Sequence, residues 1–200
     1  MTIDILQKEH PVLRETAKDV PLNLFGTEEL KKIIKKMIDG LHQEADAVAI
    51  AAPQIGVSLN IFVVLGSVFL SNSREAKKDK QEVETEKKEK KKNIKIANFE
   101  GDFVFINPLI VSTSKKMKEM DEGCLSVRLL YGKVKRCEKV KLEAFDFNGN
   151  KINYGASGLI SQIFQHETDH LKGTLFIDKA TNLVEITREE LEKHQKNHAK

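Results

Sequence analysis

The sequence predicts an α+β domain, and three observations carry that prediction. An amphipathic helix pattern stands early in the chain, strand-like segments fill the middle, and a second amphipathic helix pattern follows them. The 200 residues are enough for one sizeable core, and no internal repeat divides them, so a single domain over 1–200 is expected.

Each element has its own signal. Over 26–45, Leu30, Ile33, Ile34, Met37, Ile38 and Leu41 follow the i, i+3, i+4 spacing of a helix face, with Thr27 as its N-cap. Lysines occupy the other face and read as solvated surface. "AVAIAAPQIGV" (47–57) is a run of small residues with turn chemistry at Pro53 and Gly56, and "NIFVVLG" (60–66) reads as a buried strand. Residues 71–98 are dense in Lys and Glu and nearly devoid of apolar groups. Such a segment cannot offset its ordering entropy, so it is expected to be a mobile surface insertion between two strands. "DFVFINPLIVSTS" (102–114) returns to β character, and Pro108 predicts a strand end or an edge. Residues 131–156 read as strand, turn at "NGN", strand, which is a hairpin. "SGLISQIFQHETDHLKG" (157–173) is the second helix, stopped by Gly173. Its apolar residues Leu159, Ile160, Ile163 and Phe164 surround a polar stripe holding His166 and His170. Thr187 and Glu190 form a capping-box pair that opens a polar C-terminal helix at about 187–198.

Composition narrows the function classes. Apolar residues make up 40% and aromatic residues 6%, without Trp, and the formal net charge is +3. Residues 77–92 hold eight Lys against five acids, which places that surplus in the insertion. No basic face for nucleic acid is indicated. No apolar run reaches the length that crosses a bilayer, and the first residues mix acids and bases, unlike a secretion signal. The expected compartment is the cytoplasm. Cys124 and Cys137 are then reduced, and Cys137 in "KRCEKV" reads as a half-buried strand residue.

The chemistry concentrates in "FQHETDHLKGTLF" (164–176). His166 and His170 are four residues apart, so both imidazoles leave one helix face. Glu167 sits about 100° around the helix from its neighbour, where it can flank a metal and act as general base on an activated water. Two buried imidazoles beside a buried carboxylate are costly without a metal to organise them. A third ligand is needed. Six residues beyond His170, where one protease class places a third His, stands Phe176. Glu185 and Glu189 are candidates, but no spacing forces them inward. Cys124 in "DEGCLSV" remains, after Gly123, whose missing side chain permits close backbone approach. Cys plus two His would leave a fourth position open. Read alone, "EGCLS" also fits a turn with a small buried residue.

Three ordered motifs, "AIAAPQIG" (49–56), "EGCLS" (122–126) and "QHETDHLKG" (165–173), resemble those of peptide deformylases. The likeness extends to "HPVLRETAKDV" (10–20) and "GTLFID" (173–178) and covers most of the chain outside the insertion and terminal helix. The resemblance implies antiparallel and mixed strands around a central HExxH helix. It implies hydrolysis of the formyl group from formylmethionine on nascent polypeptides, with release of formate. Its metal ligands fall on Cys124, His166 and His170. The implied native ion is Fe²⁺, with Zn²⁺, Ni²⁺ or Co²⁺ able to substitute. Glu167 is implied to move the proton, while the Gln54 amide and the Leu125 backbone N–H steady the developing oxyanion. Val48, Ala49, Ile50, Gly123, Leu159 and Ile163 are implied to bind substrate, with Met120 as a further candidate. The peptide would run beside 47–50 and 123–125 like an added strand. The implied partners are nascent formyl-Met peptides and the ribosome near its exit, with neither specific nucleic acid nor a membrane.

The chain departs from the family pattern at three places. Ala47 and Ala49 stand where glycines are usual, and Arg128 stands where a proline usually follows "LSV". Alanine at a position of positive φ would be strained, and its methyl would crowd the groove. Two competing readings follow: an HExxH metallopeptidase, and a non-catalytic homologue that binds N-termini or the ribosome.

Overall fold

The computed structural model describes residues 2–75, 97–187 and 189–191. Helix α1 (Glu28–His42) forms where periodicity places it. The Thr27 hydroxyl accepts the Leu30 N–H at 3.3 Å, and Glu28 and Glu29 sit in the first turn, where the helix dipole favours acids. Leu30, Ile34, Met37 and Leu41 are buried, while Ile33 and Ile38 pack at their margin.

The main sheet holds β1 (Ala49–Ala51), β2 (Ile61–Val64), β3 (Asn98–Phe99), β4 (Asp102–Thr113), β7 (Lys139–Phe145) and β8 (Lys151–Ser157). Its order is β1-β2-β4-β7-β8, with β3 also on β4, and every pair is antiparallel. A second sheet has the order β5-β6-β9, from β5 (Met117–Cys124), β6 (Val127–Cys137) and β9 (Thr181–Glu185). Strand alternation divides the core cleanly. Ile50, Ile61, Val63, Val104 and Ile106 turn to the α1 side. Ala49, Ala51, Phe62, Val64, Phe103 and Phe105 turn to the opposite side, against α3 (Gly158–His170). With both faces covered, β2 is buried throughout, which explains its unbroken apolar run.

Two expectations about the strands need correction. Pro108 does not end a strand: it lies within β4, just past Ile106, where pairing to β2 stops and only β7 continues alongside, so the edge reading holds locally. A register shift between Ile106 and Leu109, with Asn107 at φ 49, takes the proline out of the ladder. The Asn107 side chain holds the bulge by accepting Val20 N–H at 2.8 Å and donating to Val20 O at 3.0 Å. Residues 131–145 are not one hairpin arm but parts of two strands, because the chain leaves the small sheet at Glu138 and enters the main one. The turn at 146–150 between β7 and β8 does form, with the Asp146 carboxylate accepting the N–H groups of Asn148 and Asn150.

Residues 71–75 belong to helix α2 (Gly66–Glu75), and the expected insertion otherwise lies at 76–96, outside the described residues. Phe69 anchors α2, stacked on Phe103 with ring centroids 4.2 Å apart. At the C-terminus the capping box forms, Thr187 N–H donating to Glu190 at 2.8 Å and Glu190 N–H to the Thr187 hydroxyl at 3.2 Å. The rest of the expected terminal helix, 192–198, lies outside the described residues. Among the described residues, no helix is long and apolar enough to cross a membrane.

Candidate active site

Helix α3 is fixed from both ends of its sequence pattern. Phe164 inserts among Phe62, Phe105 and Tyr154, with centroids 5.7, 5.0 and 6.0 Å away. Burying such a side chain contributes about 2–3 kcal/mol. Gln165 grips the backbone of Cys137, accepting its N–H and donating to its carbonyl, each at 2.9 Å. Cys137 is half-buried, and it is where the chain is about to change sheets. These contacts aim the opposite helix face, with His166, Glu167 and His170, at the small sheet. Gly173, at φ 71, ends the segment beside the Arg14 carbonyl, where a Cβ would come within 2.6 Å.

Cys124 closes β5 and meets that helix face. Its Sγ lies 3.1 Å from His170 Nε2, and ligand atoms of Cys124, His166 and His170 all fall within 4.8 Å of one another. The Ser126 N–H points to the same sulfur at 3.4 Å. Gly123 lets the Tyr131 ring approach closely, since a Cβ there would sit 2.6 Å from it and push the ring aside. Gln54 is almost fully buried, its Oε1 accepting the Ala51 N–H at 2.8 Å. That bond turns Nε2 toward Ser126 Oγ at 3.1 Å and Cys124 Sγ at 3.6 Å. Leu125 is tied through its carbonyl to Gln7 Nε2 at 3.1 Å.

A buried ion-pair chain, not foreseen from the sequence, backs His166. Its Nδ1 contacts Glu122 at 2.9 Å, which leaves Nε2 to face Cys124 and His170. Arg136 grips the same carboxylate with both prongs, at 2.7 and 2.9 Å, and also pairs with Asp169 on α3. Lys179 completes the chain on Asp169 at 2.7 Å. No local spacing announces this: Glu122 lies opposite Gly132, and Arg136 opposite Lys118, in the β5–β6 register.

The electrostatics follow from this geometry. Burial opposes a thiolate at Cys124, but His170 and His166 outweigh it and bring the thiol down to about 5. Burial likewise opposes the Glu122 carboxylate, yet Arg136 and His166 hold it at about 2. Glu167 goes the other way: burial, the largest effect, pushes it up to about 7 despite the two histidines. Its Oε2 and His170 Nδ1 are buried without a hydrogen-bond partner among the described residues.

A cavity of about 540 Å³ opens onto this cluster. Val48, Ala49, Gly123, Leu159 and Ile163 line it together with Gln54, Cys124, Leu125, His166 and Glu167. Ile50 does not: strand alternation turns its side chain into the α1 core. Met120 also lies off the cavity, on β5 opposite Val134. Ala47 and Ala49 both avoid positive φ, so neither is strained, and both line the cleft while nearly buried.

A family model described as polypeptide deformylase matches residues 2–185. The chain belongs to the peptide deformylase family. The protein "Peptide deformylase 1A, chloroplastic" of Solanum lycopersicum is 36% identical over 176 residues, covering 88% of this chain and 58% of that one. A peptide deformylase of Halothermothrix orenii is 35% identical over 178 residues, 88% of this chain and 91% of the relative. The solved peptide deformylase of Thermotoga maritima superposes with TM-score 0.69 at 28% identity, covering 90% of this chain and 99% of that one. The chain spans less than two thirds of the length of the first plant relatives it matches.

Membership in the deformylase family implies a divalent metal, and the residues present fit one. One sulfur and two imidazole nitrogens converge, a donor set that suits borderline-soft first-row ions and leaves coordination positions open. The unpartnered Glu167 oxygen lies in the same buried cluster, where a nearby cation would compensate it.

Proposed function

We propose that this protein hydrolyses the formyl group from N-terminal formylmethionine of nascent polypeptides. The observation that carries the reading is the buried, unpartnered carboxylate of Glu167 beside the Cys124, His166 and His170 donors, on one cavity. Cys124, His166 and His170 are the residues that would hold the metal, with Fe²⁺ as the native ion and Zn²⁺, Ni²⁺ or Co²⁺ as substitutes. When bound, the ion supplies an acidified water and a Lewis-acid contact for the formyl oxygen.

The chain's own groups do the rest. Glu167, buried beside the two histidines, takes a proton from the attacking water and returns it to the leaving amine. One C–O bond forms, the formyl C–N bond breaks, and formate leaves with a free methionine amine. The Gln54 Nε2–H and the Leu125 N–H donate to the oxygen as charge gathers on it. Glu122 keeps the His166 ring oriented through Nδ1. Ile163 and Leu159 supply the apolar wall for the methionine side chain, and the edge of β1 pairs with the extended peptide.

Anaerobically prepared, Fe- or Ni-loaded protein is expected to release formate from formyl-Met peptides and to leave acetyl-Met peptides nearly untouched. No formate at full metal occupancy rejects the enzyme. Cys124→Ser is expected to change metal content by elemental analysis. Unaltered metal content and activity in that variant would remove Cys124 from the ligand set. The cytoplasm is the proposed compartment, where a ligating thiol stays reduced. The ribosome is the proposed partner of the polar C-terminal segment.

A further inference from the structure

The cleft has two walls from different sheets. Asp46, Ala47, Val48 and Ala49 form one, leading into β1. The other is the β5–β6 turn and the start of β6. Arg128, at the position where the family usually carries proline, bridges them. Its Nη2 pairs closely with Glu44, and its Nη1 lies 3.7 Å from Asp46. The groups are 28%, 25% and 22% exposed, so solvent screens them less than a surface pair. Glu44 and Asp46 belong to a tight turn, closed by the Ala47 N–H on the Glu44 carbonyl at 3.1 Å. Any pull on that turn moves the adjoining wall residues Ala47 and Val48.

The anchor at the other end is also unusual. Leu129, next to Arg128, has φ 66, a left-handed conformation that costs a non-glycine residue of order 1–3 kcal/mol. Its carbonyl is held by the Ile186 N–H at 2.8 Å. The β5–β6 register shifts between Gly123 and Cys124, so this kink stands beside the proposed sulfur ligand. The strained backbone delivers the Arg128 side chain across the cleft, away from a regular ladder.

We propose that Arg128, paired with Glu44 and Asp46, is a positioning residue that sets the width of the cleft, holding the β1 edge at the distance an extended N-terminal peptide needs. This rests on the deformylase reading for the identity of the peptide. A peptide with residues beyond methionine lies along both walls and feels their separation. Methionine alone, seated against Leu159 and Ile163, feels it less.

The test is binding of the tripeptide Met-Ala-Ser and of free methionine to Ni-loaded protein by calorimetry, beside formate release from formyl-Met-Ala-Ser. In Arg128→Ala, tripeptide affinity is expected to fall about fivefold, the scale of one partly exposed ion pair, and methionine affinity by less. KM for the formylated tripeptide should rise in step, with a smaller change in kcat. Arg128→Lys should recover part of the loss, and Glu44→Gln added to Arg128→Ala should cost nothing more. A thermal shift without the tripeptide-specific loss overturns the proposal, as does equal weakening of both ligands. Tight tripeptide binding by wild type without formate release overturns the hydrolase reading and leaves the Arg128 positioning role standing. Wild-type protein that binds no tripeptide overturns both.

Discussion

Glu167→Ala is expected to keep the metal and to lose turnover by about 10²–10⁴-fold. The carboxylate is buried on α3, between two histidines in sequence and space, and no described residue hydrogen-bonds its Oε2. A carboxylate placed beside the water-activating site can accept a proton and pass it on to the leaving amine. Alanine removes that group and leaves Cys124, His166 and His170 in place. Glu167→Gln should behave alike, since the amide keeps the shape and cannot accept the proton. Steady-state formate release with metal analysis separates the outcomes. Wild-type turnover in either variant would exclude Glu167 from proton transfer, and lost metal would reassign it to the ligand set.

Arg136→Ala should cost about 3–5 kcal/mol of folding stability, because it strands the Glu122 carboxylate inside the protein, while Asp169 keeps Lys179. The Arg136 and Glu122 side chains are only 4% and 2% exposed, and Asp169 shares the guanidinium. For a chain of this size, the melting temperature should fall by roughly 6–20 °C. Arg136→Lys should recover little, since an ammonium cannot make the two-pronged contact with Glu122. Metal retention should weaken by about 10–100-fold as the partner of His166 Nδ1 loosens. Denaturation within about 1 kcal/mol of wild type would mean that solvent enters and replaces the guanidinium.

Local chemistry made the two long helices legible. Apolar spacing placed α1 and α3, and the same periodicity put both histidines on one face. The β5 strand had no such signal: half of its residues are exposed and only Glu122 is buried, so neither face carries an apolar alternation. The strand-end reading of Pro108 failed because a bulge, which depends on Asn107 and Val20 far apart in sequence, lets the strand continue past the proline. The hairpin reading of 131–145 failed because continuous β-forming sequence does not say which sheet each part joins. Glu122 and Arg136 escaped for a related reason. Their pairing depends on how a polar strand folds back and how α3 docks over it, neither of which has a sequence period.

The crossing at Glu138 also bears on the order in which the molecule takes shape. Cys124 ends a strand of the small sheet, whereas His166 and His170 ride a helix packed on the main one. Cys124 and His170 are 46 residues apart, and between them the chain changes sheets. A nascent α3 can present its histidine pair alone, but the sulfur joins them only after both layers have docked. The three-donor site is therefore built on a long-range closure between two layers, whose loop-entropy cost must be met before the donors meet. An ion that prefers all three donors acts as a proofreader of tertiary structure, favouring chains whose sheets are already assembled.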